Sequence, residues 1–249
     1  MKNVNSDIAY DHIRKRILSG EYPPGQALMT TDLSEEIGVS RTPVRDALRQ
    51  LEADGLVSIR AHLGASVKTM DLKEYRELCG MRLALESYAA GEAATHRTES
   101  DLAELRFALD SMRKITERII AGKEEESRLA ELIRDDVRFH IAIMTAAKSD
   151  LIKKEILRLH LINRVVSSAA PGAGKAATDK ESRDANRRAV LKSHDHIFQA
   201  IVKGDAPAAK LAMEEHIQDI IDKNLRMMGR EQRGGAVREL TEEELGYTA

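Results

Sequence analysis

Ser40-Arg41-Thr42-Pro43-Val44-Arg45-Asp46-Ala47-Leu48-Arg49-Gln50-Leu51-Glu52-Ala53-Asp54-Gly55-Leu56-Val57 is the stretch that decides the fold. Ser40 is a good helix N-cap, and Pro43 falls in the first turn, where a missing N–H costs nothing. Ala47, Leu48 and Leu51 form a narrow apolar stripe, and Gly55 is a natural C′ stop. Arg41, Arg45 and Arg49 recur every fourth residue and so share one helix face. A helix with one buried edge and an arginine row opposite fits a DNA major groove. It also fits a solvated basic face on an ordinary surface helix, so the flanks decide between the two.

Upstream, residues 6–19 read as a helix capped by Ser6, with Ile8, Ile13, Ile17 and Leu18 on its apolar face. The run Gly20-Glu21-Tyr22-Pro23-Pro24-Gly25 breaks it. Thr30 or Thr31 then caps a short helix through Ile37, and Gly38-Val39 turns into the arginine helix. Two short helices joined by a glycine-containing turn are a helix-turn-helix signature. Downstream of Gly55 the period changes from helical to alternating. Residues 56–60 and 65–68 read as two strands linked by Ala61-His62-Leu63-Gly64, with Gly64 free to take a positive φ. Three helices and a β-hairpin make a winged helix-turn-helix over residues 1–69. The wing brings Gly64 and its neighbours toward a phosphate backbone or minor groove, and His62 reads either as one of those neighbours or as an exposed loop residue.

From Leu72 to about Met228 the pattern is helical almost throughout. Helices are predicted near 72–95, with Asp71 as N-cap, then 98–121, 125–147, 150–169, 183–203 and 206–228. The expected fold is therefore mainly α: the winged domain, then an all-α bundle of about six to seven helices over 70–229. A polar tail covers 230–249. The long break at 170–179 has neither Walker spacing nor a preceding strand, so it reads as a loop and not a phosphate cradle.

Composition agrees with this. The 249 residues are 42% apolar and 32% charged, without tryptophan and with few Gly and Pro, which favours helices over a β-sandwich. The net charge is −2, and residues 1–70 hold nine Lys/Arg against nine Asp/Glu. Affinity for nucleic acid must therefore come from a local patch. Cys79 is the only cysteine, which excludes an intramolecular disulfide and a Cys-rich zinc module. No apolar run approaches the ~18–20 residues of a membrane span, and Met1-Lys2-Asn3-Val4-Asn5 lacks the core of a signal peptide. The expectation is a cytoplasmic chain with no membrane partner.

A second constellation lies in the helical part. Asp136 and His140 are four apart on one helix face, beside Ile133, Val137 and Met144. His194 keeps helical phase with Leu191, Ile197 and Ile201, whereas its rival His196 lies off that stripe. His216 accompanies Ala212, Met213, Ile217 and Ile220. Desolvating three imidazoles and a carboxylate is costly unless they share a partner. A divalent cation satisfies all four, with zinc first and nickel or manganese as alternatives. Core residues satisfied within the protein remain the other reading. His12, His96 and His160 have no such company and read as structural or surface residues. Gly-x-Ser-x-Gly, His-Glu-x-x-His and a cleft carboxylate pair are all absent, and no general base accompanies the ligands, so the chain reads as a non-enzyme.

With both constellations in view, residues 6–225 resemble GntR-family transcriptional regulators of the FadR branch, which carry an FCD-type effector domain. Ser40 to Leu48, followed by Leu51 and Gly55-Leu56-Val57, is close to the family signature. Asp136-Val137-Arg138-Phe139-His140, His194 and Met213-Glu214-Glu215-His216-Ile217 match the FCD pattern. Ser193 stands where relatives commonly carry an acidic residue, and Thr31 where many carry a basic one. The resemblance implies that Arg41, Thr42 and Arg45 contact bases and phosphates, with Ser40 and Arg49 at the same interface and Gly64 at the minor groove. It implies metal ligation by Asp136, His140, His194 and His216. It also implies a small carboxylate effector beside the metal, held by Arg82 (or Arg82 is tied up by Glu86 at i,i+4) with Asn163 and Arg164 as further candidates. The expected molecule is a homodimeric, metabolite-responsive regulator, a repressor, on a palindromic double-stranded operator. The alternatives are a regulator for which the ion itself is the signal and a metalloenzyme with an appended DNA-binding domain.

Overall fold

The computed structural model describes residues 4–61, 63–122, 125–168 and 179–228. His62, the expected 170–179 loop except Asp179, and the 230–249 tail lie outside the described residues. Among those described, the elements run α1 (Val4–Ser19), β1 (Ala27–Leu28), α2 (Thr30–Ile37), α3 (Arg41–Ala53), β2 (Val57–Arg60), β3 (Gly64–Val67), α4 (Leu72–His96), α5 (Glu99–Ile120), α6 (Glu125–Ala146), α7 (Asp150–Ser168), α8 (Lys180–Lys203) and α9 (Ala206–Met228). The mainly-α, winged-helix-then-bundle architecture expected from the sequence is the one observed. Two compact units are present. The first holds the described residues up to Glu74 and those from Arg158 to Ser168. The second holds Tyr75–Leu157 and the residues from Asp179 to Met228.

In the first unit α1 packs on α3. Ala9, Tyr10, Ile13, Ile17 and Leu18 are buried on one helix, and Pro43, Val44, Ala47, Leu48 and Leu51 on the other. Each fully buried Leu, Ile or Val contributes about 1.5–3 kcal/mol over an exposed one. The buried face of α1 omits Ile8, which is exposed, and includes Tyr10, whose hydroxyl donates to Asp54 Oδ2 at 2.6 Å. Helix α1 also begins two residues before Ser6, which is therefore no cap. Neither Thr30 nor Thr31 caps α2. Met29 occupies the N-cap without a side-chain bond, and Thr31 Oγ1 donates to Asp32 instead. Gly38 closes α2 at φ 76°, with its own N–H and that of Val39 both donating to Ser34 O. Gly55 takes φ 80° just after α3, and the Leu56 N–H returns to Leu51 O at 2.9 Å.

The wing is larger than a hairpin. Antiparallel strands lie in the order β1-β3-β2, with Val57 opposite Val67 and Ala27 opposite Ser66. Strand β1 is two residues long, too short to show an alternating period in the sequence. The second half of α7 also belongs to this unit, where Arg164 Nε donates to Leu18 O at 3.1 Å.

In the second unit α5 packs on α6 and α8, and α8 on α9. Leu105, Leu109, Met112, Phe139, Ile143, Ile197, Ile201, Met213 and Ile217 form its buried centre. Local chemistry fixes the helix starts. Thr98 and Asp101 cap reciprocally at the start of α5, as Asp71 and Glu74, which belong to the first unit, do at the start of α4. Asp179 accepts from the Ser182 N–H at 2.8 Å, which starts α8 three residues earlier than the predicted 183.

Candidate nucleic-acid interface and metal centre

Helix α3 divides cleanly into two faces. Pro43, Val44, Ala47, Leu48 and Leu51 are buried, while Arg41, Thr42, Arg45, Asp46 and Arg49 are exposed. Ser40 occupies the N-cap with extended backbone, but its side chain makes no capping bond. Arg49 is 75% exposed and lies 3.8 Å from Asp46, a solvated pair of little energetic weight. Arg41 and Arg45 therefore stand at the N-terminal, solvent-facing end of the helix, and Arg49 one turn further back. Gly64 opens β3 at φ 85°, opposite Arg60. A Cβ there would meet nothing within 4 Å, so the left-handed backbone alone calls for glycine.

In the second unit, α6, α8 and α9 bring three histidines together. Their ligand atoms fall within 4.8 Å of one another, and this is the only such group among the described residues. His194 is fully buried, and His140 and His216 nearly so. His196, the off-stripe rival, is exposed. His140 and His216 stack with centroids 5.2 Å apart, and their Nε2 atoms are separated by 3.2 Å. Asp136 reaches the group from its rim: 39% of its side chain is exposed, and Oδ1 lies 3.1 Å from His194 Nε2.

The other ring nitrogens are engaged outside the group. His140 Nδ1 lies 3.2 Å from Glu86 Oε2, and Glu86 Oε1 accepts from Arg82 Nε at 2.8 Å. His194 Nδ1 lies 2.8 Å from Val190 O, and His216 Nδ1 lies 2.8 Å from Ser193 Oγ. A carbonyl only accepts, so His194 carries its proton on Nδ1 and presents a bare Nε2 to the Asp136 carboxylate. Two acceptors at 3.1 Å need a cation between them, either a proton or a metal. The donor set, three imidazoles and one carboxylate with outer-shell partners on each ring, is one that zinc, nickel or manganese accepts.

The electrostatics differ from group to group: His216 and Asp136 are held in the metal-ligating state, whereas His140 is drawn toward its charged form. Burial pushes the His216 imidazolium down to about 2, and His194 and His140 add to the effect. Burial works against a charged Asp136. The close contact with His194 and the attraction of the three rings outweigh it, holding the carboxyl well below the usual carboxylate range. For His140 burial again opposes the charge, and the bond to Glu86 more than offsets it, so this ring is shifted upward.

Arg82 and Glu86 are both buried and bonded to each other, as the i,i+4 spacing allowed. What the sequence did not disclose is that Glu86 also meets His140, a contact between separate helices. Nor did it disclose the bonds from Ser193 and Val190. Asn163, half-buried, and Arg164, buried, lie on the part of α7 grouped with the first unit. His12 bonds to Glu36 at 2.8 Å, and His96 lies 3.5 Å from Glu92.

Residues 5–67 match the gntR family of bacterial regulatory proteins, and residues 77–219 match the FCD domain. The HTH-type transcriptional regulator LutR of Bacillus subtilis is 29% identical over 229 residues, covering 83% of this chain and 94% of its own. The HTH-type transcriptional repressor RspR of Escherichia coli is 28% identical over 222 residues, covering 87% of each chain. Among solved structures, E. coli McbR/YncC superposes with a TM-score of 0.65 at 21% identity, covering 91% of this chain and 99% of that one, which speaks for the fold. The chain belongs to the gntR family of transcriptional regulators, joining a winged helix-turn-helix DNA-binding domain to a helical FCD domain.

Proposed function

We propose that this regulator is a homodimeric repressor whose helical domain holds a divalent cation and a small carboxylate effector that alters operator affinity. The observation that carries the reading is the convergence of three buried imidazoles with Asp136. His140, His194 and His216 would hold the cation through Nε2 and Asp136 through its carboxylate, zinc being the first candidate and nickel or manganese the alternatives. Such a cation supplies a Lewis-acid site for an organic carboxylate. Arg82 supports the effector assignment: its buried guanidinium leads through Glu86 to His140, so a carboxylate held at Arg82 acts on a ligand ring. Asn163 is grouped with the other unit, so the effector reading rests on Arg82. On the DNA side, Arg41, Thr42 and Arg45 read the major groove with Ser40 and Arg49 at its edges, and Gly64 approaches the minor groove. A two-fold dimer places one α3 in each half of a palindromic operator.

Metal analysis of the purified chain, followed by operator titrations with and without carboxylic acids, tests this reading. One equivalent of divalent metal per chain, and an acid that changes operator affinity about 5–150-fold, is the expected outcome. A chain free of metal after exposure to zinc, nickel and manganese overturns it. The site's depth also suits an ion acting as the signal. In that case metal addition alone switches operator affinity and no acid changes it further.

A further inference from the structure

A single backbone carbonyl stands behind two of the three histidines. Val190 O, one turn before His194 on α8, lies 2.8 Å from His194 Nδ1 and accepts from Ser193 Oγ at 2.7 Å. The same Oγ lies 2.8 Å from His216 Nδ1 on α9. Serine has one hydroxyl proton, and we place it on the shorter contact, to Val190 O, the partner that can only accept. Toward His216 the oxygen can therefore only accept, so His216 Nδ1 carries the N–H. Both rings are thereby set in one tautomer, with Nε2 bare and turned toward His140 and Asp136.

We propose that Ser193 is a positioning residue for His216, tying it to the Val190 carbonyl and holding it in the Nδ1–H form so that Nε2 is presented to a divalent cation. The consequence for metal affinity rests on the metal reading above, whereas the tautomer is a property of the metal-free chain. Neighbouring residues on α8 thus do two jobs: His194 offers its own ring, and Ser193 orients a ring on the next helix. Because the serine is neutral, it adds no negative charge behind His216. The imidazole is oriented without the rise in basicity that a carboxylate partner brings.

Long-range proton–nitrogen correlation spectra of the metal-free chain, and zinc affinity measured by chelator competition, test this in Ser193→Ala and Ser193→Thr. Threonine keeps a hydroxyl that can reach the carbonyl three residues back in a helix. In the wild type both His194 and His216 are expected as Nδ1–H. In Ser193→Ala, His216 should gain Nε2–H character while His194 stays unchanged, and zinc affinity should fall about 10–100-fold. Ser193→Thr should restore both readouts. A wild-type His216 tautomer in a folded Ser193→Ala chain overturns the proposal, as does a zinc affinity indistinguishable from wild type. A wild-type chain that takes up no zinc refutes the metal reading instead, and the tautomer comparison alone then decides the role of Ser193.

Discussion

Arg45 is exposed near the N-terminal end of α3, with its backbone anchored by buried Val44 on one side and Ala47 on the other. Removing its guanidinium leaves that packing alone. Arg45→Ala should weaken operator binding by about 1–3 kcal/mol and relax the preference at one base pair, as measured by a titration at fixed salt. A purely phosphate-binding arginine would instead weaken all sequences alike and lower the salt slope by about 1. Residues of this kind were legible in the sequence, because i,i+4 spacing fixes a helix face without knowledge of anything else. So were His140, His194 and His216, whose helical phase with buried Ile and Met residues pointed inward. The partners that orient them were not. Glu86 meets His140, and Ser193 meets His216, across helices that only the tertiary packing brings together. Two contacts of that set lie within one helix: the Arg82–Glu86 bond, which its i,i+4 spacing announced, and the His194–Val190 bond, which goes to a backbone carbonyl that no residue type in the sequence marks.

Elements end where backbone chemistry forces them to, and two glycines show how unequal those ends are. Gly38 and Gly55 both hold left-handed backbone, at φ 76° and 80°. A Cβ at Gly38 would meet nothing within 4 Å, whereas at Gly55 it would lie 2.7 Å from Ile162 Cδ1. Gly38→Ala should therefore cost only the left-handed strain, about 1–2 kcal/mol in denaturant unfolding. Gly55→Ala should cost more, and adding Ile162→Val, which removes that methyl, should recover part of the excess. The stop at Gly55 was plain in the sequence, while the tight approach of α7 was not. Short elements were missed for a related reason, since the two residues of β1 carry no period of their own.

Helix α2 is held to α1 by a second kind of contact. Glu36 bonds to His12 at 2.8 Å, to Arg16 at 2.8 Å and to the Tyr22 hydroxyl at 2.8 Å. The His12 bond, with help from Tyr22 and Arg16, holds the Glu36 carboxyl below its ordinary value against a smaller opposing effect of burial. A carboxyl depressed in the folded state stabilises the fold above its unfolded pKa. That contribution is lost as pH falls through the folded value. Unfolding midpoints measured from pH 6 to pH 3 should therefore drop more steeply in the wild type than in Glu36→Gln. Parallel curves would show that the network is energetically idle.

At the scale of the whole molecule, the helical domain should be stabilised by whatever fills its histidine site. A cation at about 100 times its dissociation constant adds about 2.7 kcal/mol to the native state. Thermal unfolding with added zinc should register this in the wild type and lose it in His140→Ala, since a vacated ligand position leaves two rings and a rim carboxylate. An equal zinc response in both proteins would place the ion elsewhere. The winged domain follows a different economy. Helix α3 is kept in place by five buried side chains, while its exposed residues carry one weak ion pair and, in the last turn, Glu52, whose Oε1 accepts from the Ile59 N–H at 2.9 Å; the N-cap serine makes no capping bond. On the proposed DNA reading, target preference and fold are carried on separate sides of the same thirteen residues. Drift on the outer side is thermodynamically cheap, so a lineage can acquire new operators by point substitution without first acquiring spare stability. The histidine cluster has less such freedom, because His140 and His216 are each tied to a side chain on another helix, Glu86 and Ser193. Evolution of this scaffold should accordingly run fast on the exposed face of α3 and slowly around the three histidines.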